Sequence, residues 1–306
     1  MNFLLRALRF LGHQHWIPRG RDRVIRLLAA PDMIKPTPFR VPFFGHFYEG
    51  TLSNFIDWSV YFYGAYSRHE LDLLADLCAL TPPGRRPCML DVGANGGNHT
   101  LFMANRCERI DAFEPFPPAI AILENRLATN GIKNCRVHPV GLADQTGAAL
   151  FIPPLGSNPG TGYFDLKSNP VDVGRSDTLE LRIVEGGTYL DANHVPPTDI
   201  LKIDVEGAEA NVLAGLSQRL HRDRPAILME LSDRSRRAIG DLAGFQKALY
   251  PDSVILSVLP ASISGTYRLA CFDFQQSTEV LILPVESLRH HHLTLVRQAT
   301  ALLTGS

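Results

Sequence analysis

The chain has 306 residues, 45% of them hydrophobic and 20% charged, with a formal net charge of −1. That length can bury a full-sized core, the composition is that of an ordinary soluble globular protein, and the near-neutral balance gives no general reason to expect a nucleic-acid partner. Five scattered cysteines (Cys78, Cys88, Cys107, Cys135 and Cys271) form no CxxC pair, so neither a disulfide framework nor a zinc site is supported, and reduced thiols in a cytoplasmic protein are expected.

The chain opens with "MNFLLRALRFLGHQHW", an apolar run that Arg6 and Arg9 interrupt short of signal-peptide length, with no small-residue cleavage site after it. No stretch approaches the ~20 apolar residues of a membrane span. Residues 1–30 carry six arginines against Asp22. The favoured reading is a helix packed on the domain with its arginines in water, ahead of contact with an anionic membrane surface. From Phe39 to Tyr66 aromatics dominate. Residues 1–66 are therefore expected to form an N-terminal helical and aromatic extension that packs on a sheet and could serve as a substrate lid.

From residue 87 short apolar runs alternate with helical periods. "CMLDVGA" (88–94) and "RIDAFEP" (109–115) read as strands. Pro117 and Pro118 open a helix with Ile120, Leu123 and Leu127 on one face, and "NG" at 130–131 closes it. "CRVHPVGLAD" (135–144) reads as a third strand and "DILKIDV" (199–205) as a fourth, followed by a helix with Val212, Leu213, Leu216 and Leu220 on one side. "PAILMEL" (225–231), a helix near 236–249, "SVILSVL" (253–259) and "EVLILP" (279–284) complete the pattern. The alternation predicts an α/β fold with a mostly parallel sheet covered on both faces. The last two strands lack a helical pattern between them, so the final strand is expected to be antiparallel. The expected division is a domain over 67–285 with an edge insertion at 145–198, then a C-terminal helix over 286–306. Within the last segment "RHHHL" (289–293) reads as solvated surface.

Ligands of open parallel sheets bind beyond the C-terminal strand ends, where strand order reverses. "DVGANGGNHTL" (91–101) lies at such an end, with Gly93, Gly96 and Gly97 permitting close backbone approach. Glu114 ends the next strand and can accept both hydroxyls of a ribose. A dinucleotide site wants G-x-G-x-x-G, whereas this chain has Asn95 and Asn98 at the third and sixth positions. Asp91 ahead of the loop suits a cation better than a pyrophosphate, which favours S-adenosylmethionine over NAD. An NAD-dependent oxidoreductase and a non-catalytic scaffold of the same fold are the alternatives.

"MLDVGANGGNHTL", "IDAFEPFPPAIAILENRLATNG", "VGLAD" and "DILKIDVEGAEANVLAGL" together resemble the FkbM family of S-adenosylmethionine-dependent methyltransferases over roughly residues 66–232. The resemblance implies the class I methyltransferase fold, Rossmann-like, with a seven-stranded sheet whose last strand is antiparallel. It also implies O-methylation of a sugar, glycolipid or secondary-metabolite hydroxyl. Two departures stand out: "NGG" at 95–97, where an apolar residue usually replaces Gly96, and Ser67 in "YGAYSRHE", where an acid is expected after the tyrosine.

On this resemblance Asp91 and the backbone of Gly93, Ala94, Asn95 and Gly97 surround the methionine end of the cofactor. Glu114 holds the ribose, and Asp144 meets the adenine amino group with the Leu142 backbone nearby. Three acids crowd the end of the fourth strand in "KIDVEGAE". Asp204 is the first choice to face the reacting hydroxyl and Glu206 follows, while Glu209 complements the next helix N-terminus. Asp204 and Glu230, on neighbouring strand ends, are candidate ligands for a divalent metal. His99 reads as a capping or packing residue ahead of a base.

Overall fold

A computed structural model describes residues 3–14, 20–154, 162–165, 178–261 and 266–304. Of the expected insertion, 155–161 and 166–177 lie outside the described residues, as do 1–2 and 15–19 of the N-terminal extension and 305–306 of the C-terminal helix.

Two helices, α1 (Phe3–Gly12) and α2 (Arg21–Ala29), precede a hairpin of β1 (Pro38–Phe43) and β2 (His46–Thr51) and the helices α3 (Phe55–Tyr63) and α4 (Arg68–Leu77). The alternating part begins with β3 (Cys88–Val92), α5 (Asn98–Met103), β4 (Arg109–Phe113), α6 (Pro117–Thr129) and β5 (Cys135–His138). Four short strands follow: β6 (Gly141–Ala143), β7 (Gly147–Ile152), β8 (Tyr163–Asp165) and β9 (Leu179–Glu185). After them come α7 (Gly186–Ala192), β10 (Ile200–Ile203), α8 (Glu209–Gly215), α9 (Ser217–Asp223) and β11 (Ala226–Glu230). The chain then runs through α10 (Asp233–Ile239), α11 (Leu242–Ala248), β12 (Ser253–Pro260), β13 (Tyr267–Cys271), β14 (Glu279–Pro284) and α12 (Thr294–Thr304).

The main sheet has the order β13-β12-β14-β11-β10-β3-β4-β5. Strands β5, β4, β3, β10 and β11 are parallel, and β14 runs antiparallel between β11 and β12, as the missing helix before it requires. The described sheet has eight strands against the seven expected. The eighth, β13, pairs antiparallel with the outer side of β12. It lies in a stretch read as connection because Leu269 is its one buried residue, too little to make an alternating pattern. The expected single strand over 135–144 is also two. Pro139 supplies no N–H to a ladder, so β5 closes the main sheet and β6 begins a four-stranded sheet of order β6-β9-β7-β8. The helix expected near 236–249 is broken at Gly240, whose φ of 95° only glycine adopts readily; Asp241 then caps α11 by accepting from the Gly244 N–H at 2.7 Å.

Successive residues of the central strands feed opposite cores. Met89, Ile200, Leu228 and Leu281 face the core built with the N-terminal segment, α4 and α5. Leu90, Leu201, Ile227 and Ile282 face the core under α8, α9 and α11. Asp91 and Lys202 fall on the first of these faces, and the β3–β10 register makes them partners. Many aromatics of the N-terminal segment, including Phe39, Phe43, Tyr48, Trp58 and Phe62, are buried in that same core.

One arginine fastens the N-terminal segment to the sheet. Arg126 of α6 is 3% exposed and donates from Nη2 to Asp57 Oδ1 and the Glu49 carbonyl, each at 2.7 Å, and from Nη1 to the Gly96 carbonyl at 2.5 Å. Its guanidinium lies 3.9 Å from the centre of the Tyr48 ring, and the Tyr48 hydroxyl donates to Asp57 Oδ1 at 2.9 Å. A Cβ at Gly96 would stand 2.8 Å from the Arg126 Nη1. The glycine at 96 is therefore the room this arginine needs. Replacing Arg126 with Met should leave Asp57 buried without its cation and cost about 3–5 kcal/mol in urea unfolding; a loss under about 1 kcal/mol would show that the anchor is dispensable.

Candidate functional site

A cavity of about 340 Å³ opens where the strand order reverses between β3 and β10. Its floor is made of strand ends: Gly93 after β3, Glu114 after β4, Asp204 after β10, Glu230 of β11 and Glu279 at the start of antiparallel β14. The N-terminal segment contributes Asn54, Ile56, Asp57, Tyr66 and Ser67, and the second sheet adds Phe151, Tyr163 and Phe164. The aromatic segment is thus both core and wall.

The glycine loop is held from two sides. The N–H groups of Gly93 and Ala94 both donate to the Phe113 carbonyl at 3.0 Å. Gly93 has φ of 81°, and a Cβ there would lie 1.8 Å from the Asp204 carbonyl oxygen, so no side chain fits. Glu114 closes the loop by accepting from the N–H of Asn95 and of Phe116, each at 2.8 Å. Each of its oxygens keeps a lone pair for a further donor. Burial pushes its carboxyl up to about 7 against those two backbone hydrogen bonds.

Asp91 lies beneath this loop and does not line the cavity. It is fully buried, accepts from the Thr100 hydroxyl at 2.6 Å, and has Lys202 Nζ 3.9 Å from its other oxygen. That second oxygen, Oδ1, has no hydrogen-bond partner among the described residues, and neither has the buried Oδ1 of Asn98, a cavity residue. Two buried acceptors without donors beside an open cavity are the donor-seeking half of a ligand site.

Beyond the loop the carboxylates gather around Lys202. This lysine is 2% exposed and donates to Asp204 Oδ2 at 3.0 Å. Burial alone would lower its pKa, but Asp204, Asp91 and Glu70 outweigh burial and raise it. Oxygen atoms of Asp204, Glu206 and Glu230 come within 4.8 Å of one another. Burial, then Asp204 and Glu209, push Glu206 up to about 7. Glu230 is raised further, by burial and by its hydrogen-bonded neighbour Asp204. Glu206 itself sits at φ of 53°, a strained left-handed conformation for a non-glycine residue, which turns its side chain at the cavity rim. His69, Glu70 and Glu279 form a second close group, with His69 Nε2 2.6 Å from Glu279 Oε2.

The structure brings together Gly93, Ala94, Asn95, Glu114, Leu142, Asp204, Glu206 and Glu230 at one cavity. Gly97 lies behind it, packed so that a Cβ would meet Leu123 at 2.4 Å. Asp144 is exposed, is held by the Asn211 amide at 3.0 Å, and lies outside the cavity lining. Glu209 is buried and folded back on its own loop, accepting from the N–H groups of Val205 and Gly207 and from the Ser235 hydroxyl. It shapes the turn and does not line the cavity. His99 is a cavity residue with Nε2 3.0 Å from Glu70 Oε2, close enough for an ion pair but out of line for a hydrogen bond. The histidines of "RHHHL" lie between a short 3₁₀ turn and α12 and belong to no metal-competent group among the described residues. Sequence reasoning missed Lys202, Asn98 and Glu70. Glu70 is an acid four residues after Tyr66, in the segment where Ser67 stands in place of the expected one.

A reversed strand set between the fifth and sixth strands of an otherwise parallel series, with an acid-lined cavity at the crossover, is the arrangement of the class I methyltransferase fold, Rossmann-like. The chain belongs to the FkbM methyltransferase family: residues 91–249, just over half of it, match the Methyltransferase FkbM domain. It is similar to "Methyltransferase 1" of Beauveria bassiana, 28% identical over 161 residues that cover 47% of this chain and 64% of that protein. It is also similar to the hexuronic acid methyltransferase AglP of Haloferax volcanii, 29% identical over 134 residues that cover 42% of this chain and 50% of that one. The matches therefore span less than two thirds of either relative. Among solved structures, methyltransferase FkbM from Methylobacillus flagellatus aligns at 18% identity with a TM-score of 0.42, covering 64% of this chain and 43% of that one. The O-methyltransferase TomG from Streptomyces achromogenes, solved with SAM, aligns at 13% and 0.41, covering 72% and 80%.

The raised carboxyls set a pH dependence of stability. Glu114, Glu206 and Glu230 bind protons more tightly folded than unfolded, so their contribution is complete below the ordinary value of 4.5 and is lost as pH rises through about 7, with Glu230 extending the loss higher. The free protein should melt at a lower temperature at about pH 8 than at about pH 5, and Glu230→Gln should narrow that gap. Equal gaps in calorimetric melts of the two proteins would show that the acids do not repel one another in the fold.

Proposed function

We propose that the cavity binds S-adenosylmethionine and that the enzyme methylates a hydroxyl of a sugar, glycolipid or secondary metabolite. The observation that carries this reading is the pairing of Glu114, with a free lone pair on each oxygen, and the donor-seeking Asn98 Oδ1 on opposite parts of one glycine loop. Those acceptors fit the hydroxyls and the ammonium of that cofactor, and Leu142, Phe116 and Phe151 offer apolar surface for its adenine. Asp91 acts from below by orienting Thr100 and Lys202. The bound cofactor supplies an electrophilic methyl group on a sulfonium.

The chain's own residues align the acceptor and take its proton. Alignment supplies much of the rate in such a displacement. Asp204 stands at the end of β10 with one oxygen occupied by Lys202, which holds its orientation. Glu206, titrating near neutrality, is matched to accept a proton at physiological pH. The acids on this side, Glu70 and Asp204 foremost, disfavour an anionic acceptor and suit a neutral polyhydroxyl one. The same hard oxygen donors, with Asp204, Glu206 and Glu230 so close together, could instead hold a divalent cation that screens their repulsion.

Calorimetric titration with S-adenosylmethionine should give micromolar binding that Glu114→Ala abolishes, with NAD as the inactive control; no binding by folded protein would overturn the cofactor reading. At 100 times its Kd the cofactor should also stabilise the fold by about 2.7 kcal/mol. For transfer, radiolabelled methyl incorporation into a panel of neutral sugars should rise through about pH 7, and Glu206→Gln should lower turnover by about 10²–10⁴-fold and remove that limb. Activity abolished by chelation and restored by magnesium would assign the three acids to a metal instead.

A further inference from the structure

Each of the N-terminal helices α1 and α2 presents apolar side chains to solvent. In α1, Phe3, Ala7 and Phe10 share one face by their spacing and all are exposed, Phe3 at 85% and Phe10 at 71%. In α2, Val24, Leu27 and Leu28 do the same, with Leu27 at 75% and Met33 just beyond the helix at 80%. The inward positions are different residues, Leu8 and Gly12 of α1 and Ile25 and Ala29 of α2. Both helices are firmly seated. Gly12 approaches α3 so closely that a Cβ would lie 2.1 Å from the Phe62 carbonyl oxygen, and Trp58 Nε1 of α3 donates to the Ala29 carbonyl at 2.6 Å. The outward apolar residues are therefore held in place.

The charge around this face is positive. Arg6, Arg23, Arg26 and Lys35 are exposed, while Arg9 and Arg21 lie against the rings of Tyr61 and Tyr63. Among the described residues of α1 and α2, Asp22 is the one acid, and it already accepts from Arg26 at 2.9 Å and from the Tyr63 hydroxyl at 2.6 Å. Exposed aromatic and aliphatic side chains interleaved with arginines are the composition of a helix that lies in the headgroup region of an anionic bilayer. A second copy of the same face would set arginines against arginines, which disfavours a symmetric dimer.

We propose that α1 and α2 dock the enzyme on an anionic lipid surface, with Phe3, Phe10, Val24, Leu27 and Met33 entering the acyl boundary. Helix α3 lies beneath α1, and the residues at its start, Asn54, Ile56 and Asp57, line the cavity. The docked face and the cavity thus share one helix as a wall. This inference stands whatever the methyl acceptor is.

The test is co-sedimentation of the full chain with vesicles of phosphatidylglycerol and phosphatidylcholine, against vesicles of phosphatidylcholine alone. Binding should be about tenfold or more stronger to the anionic vesicles, should weaken with salt, and should fall about tenfold or more in Arg6→Glu/Arg23→Glu. Phe10→Asp/Leu27→Asp should abolish it with an unchanged melting temperature, whereas Leu303→Asp, at an exposed apolar position on α12, should bind as the parent does. No sedimentation with anionic vesicles, or equal sedimentation of Phe10→Asp/Leu27→Asp, would overturn the proposal. So would a dimer in light scattering that the same pair of substitutions dissociates, since the face would then belong to a second copy.

Discussion

A lysine buried in a sheet organises the acids of this protein. Lys202 sits on the third residue of β10, on a strand face otherwise committed to the core, and the β3–β10 register sets it beside Asp91. A buried ammonium is tolerated where carboxylates surround it, and buried carboxylates are tolerated where a cation stands among them. Each therefore makes the other possible. Asp91 below, Asp204 above and Glu70 beside them share this one ammonium, and together they outweigh its burial. Asp204, the first acid of "KIDVEGAE", is paired with the residue that opens that string.

Around this pair the parts of the site have separate tasks. Glu114 ties the glycine loop to the end of β4 through backbone N–H groups, and Glu209 ties the turn after β10 in the same manner. Both are acids used as scaffolding, one at the cavity and one behind it. Glu206 and Glu230 are left with raised affinities for protons, by burial first and then by Asp204 beside them. The aromatic N-terminal segment closes one side, locked to α6 by Arg126.

Much of this was legible in the sequence. Parallel strands buried on both faces read as apolar runs, and β3, β4, β10, β11 and β14 fall where those runs lie. The loop glycines and Glu114 were legible because their spacing is local. The residues missed have no local signal. Lys202 reads as a polar interruption in a core strand until its neighbour across the sheet is known, and Asn98 reads as the start of a helix. Glu70 comes from a helix outside the alternating part, brought in by packing alone. Asp144 shows the reverse case: an acid after a strand was expected at the ligand, yet the chain has already left the main sheet at Pro139, and Asp144 turns to Asn211 instead. Edge strand β13 had one buried residue and so nothing periodic to read.

The contact between Gly96 and Arg126 reaches beyond this molecule. In this fold a side chain at position 96 would press on the Arg126 guanidinium, which would have to shift to make room. The two positions, thirty residues apart in the chain, should vary together over evolutionary time. Chains that keep both the glycine and the arginine would then form a recognisable branch, marked by how they fasten the segment ahead of the catalytic sheet.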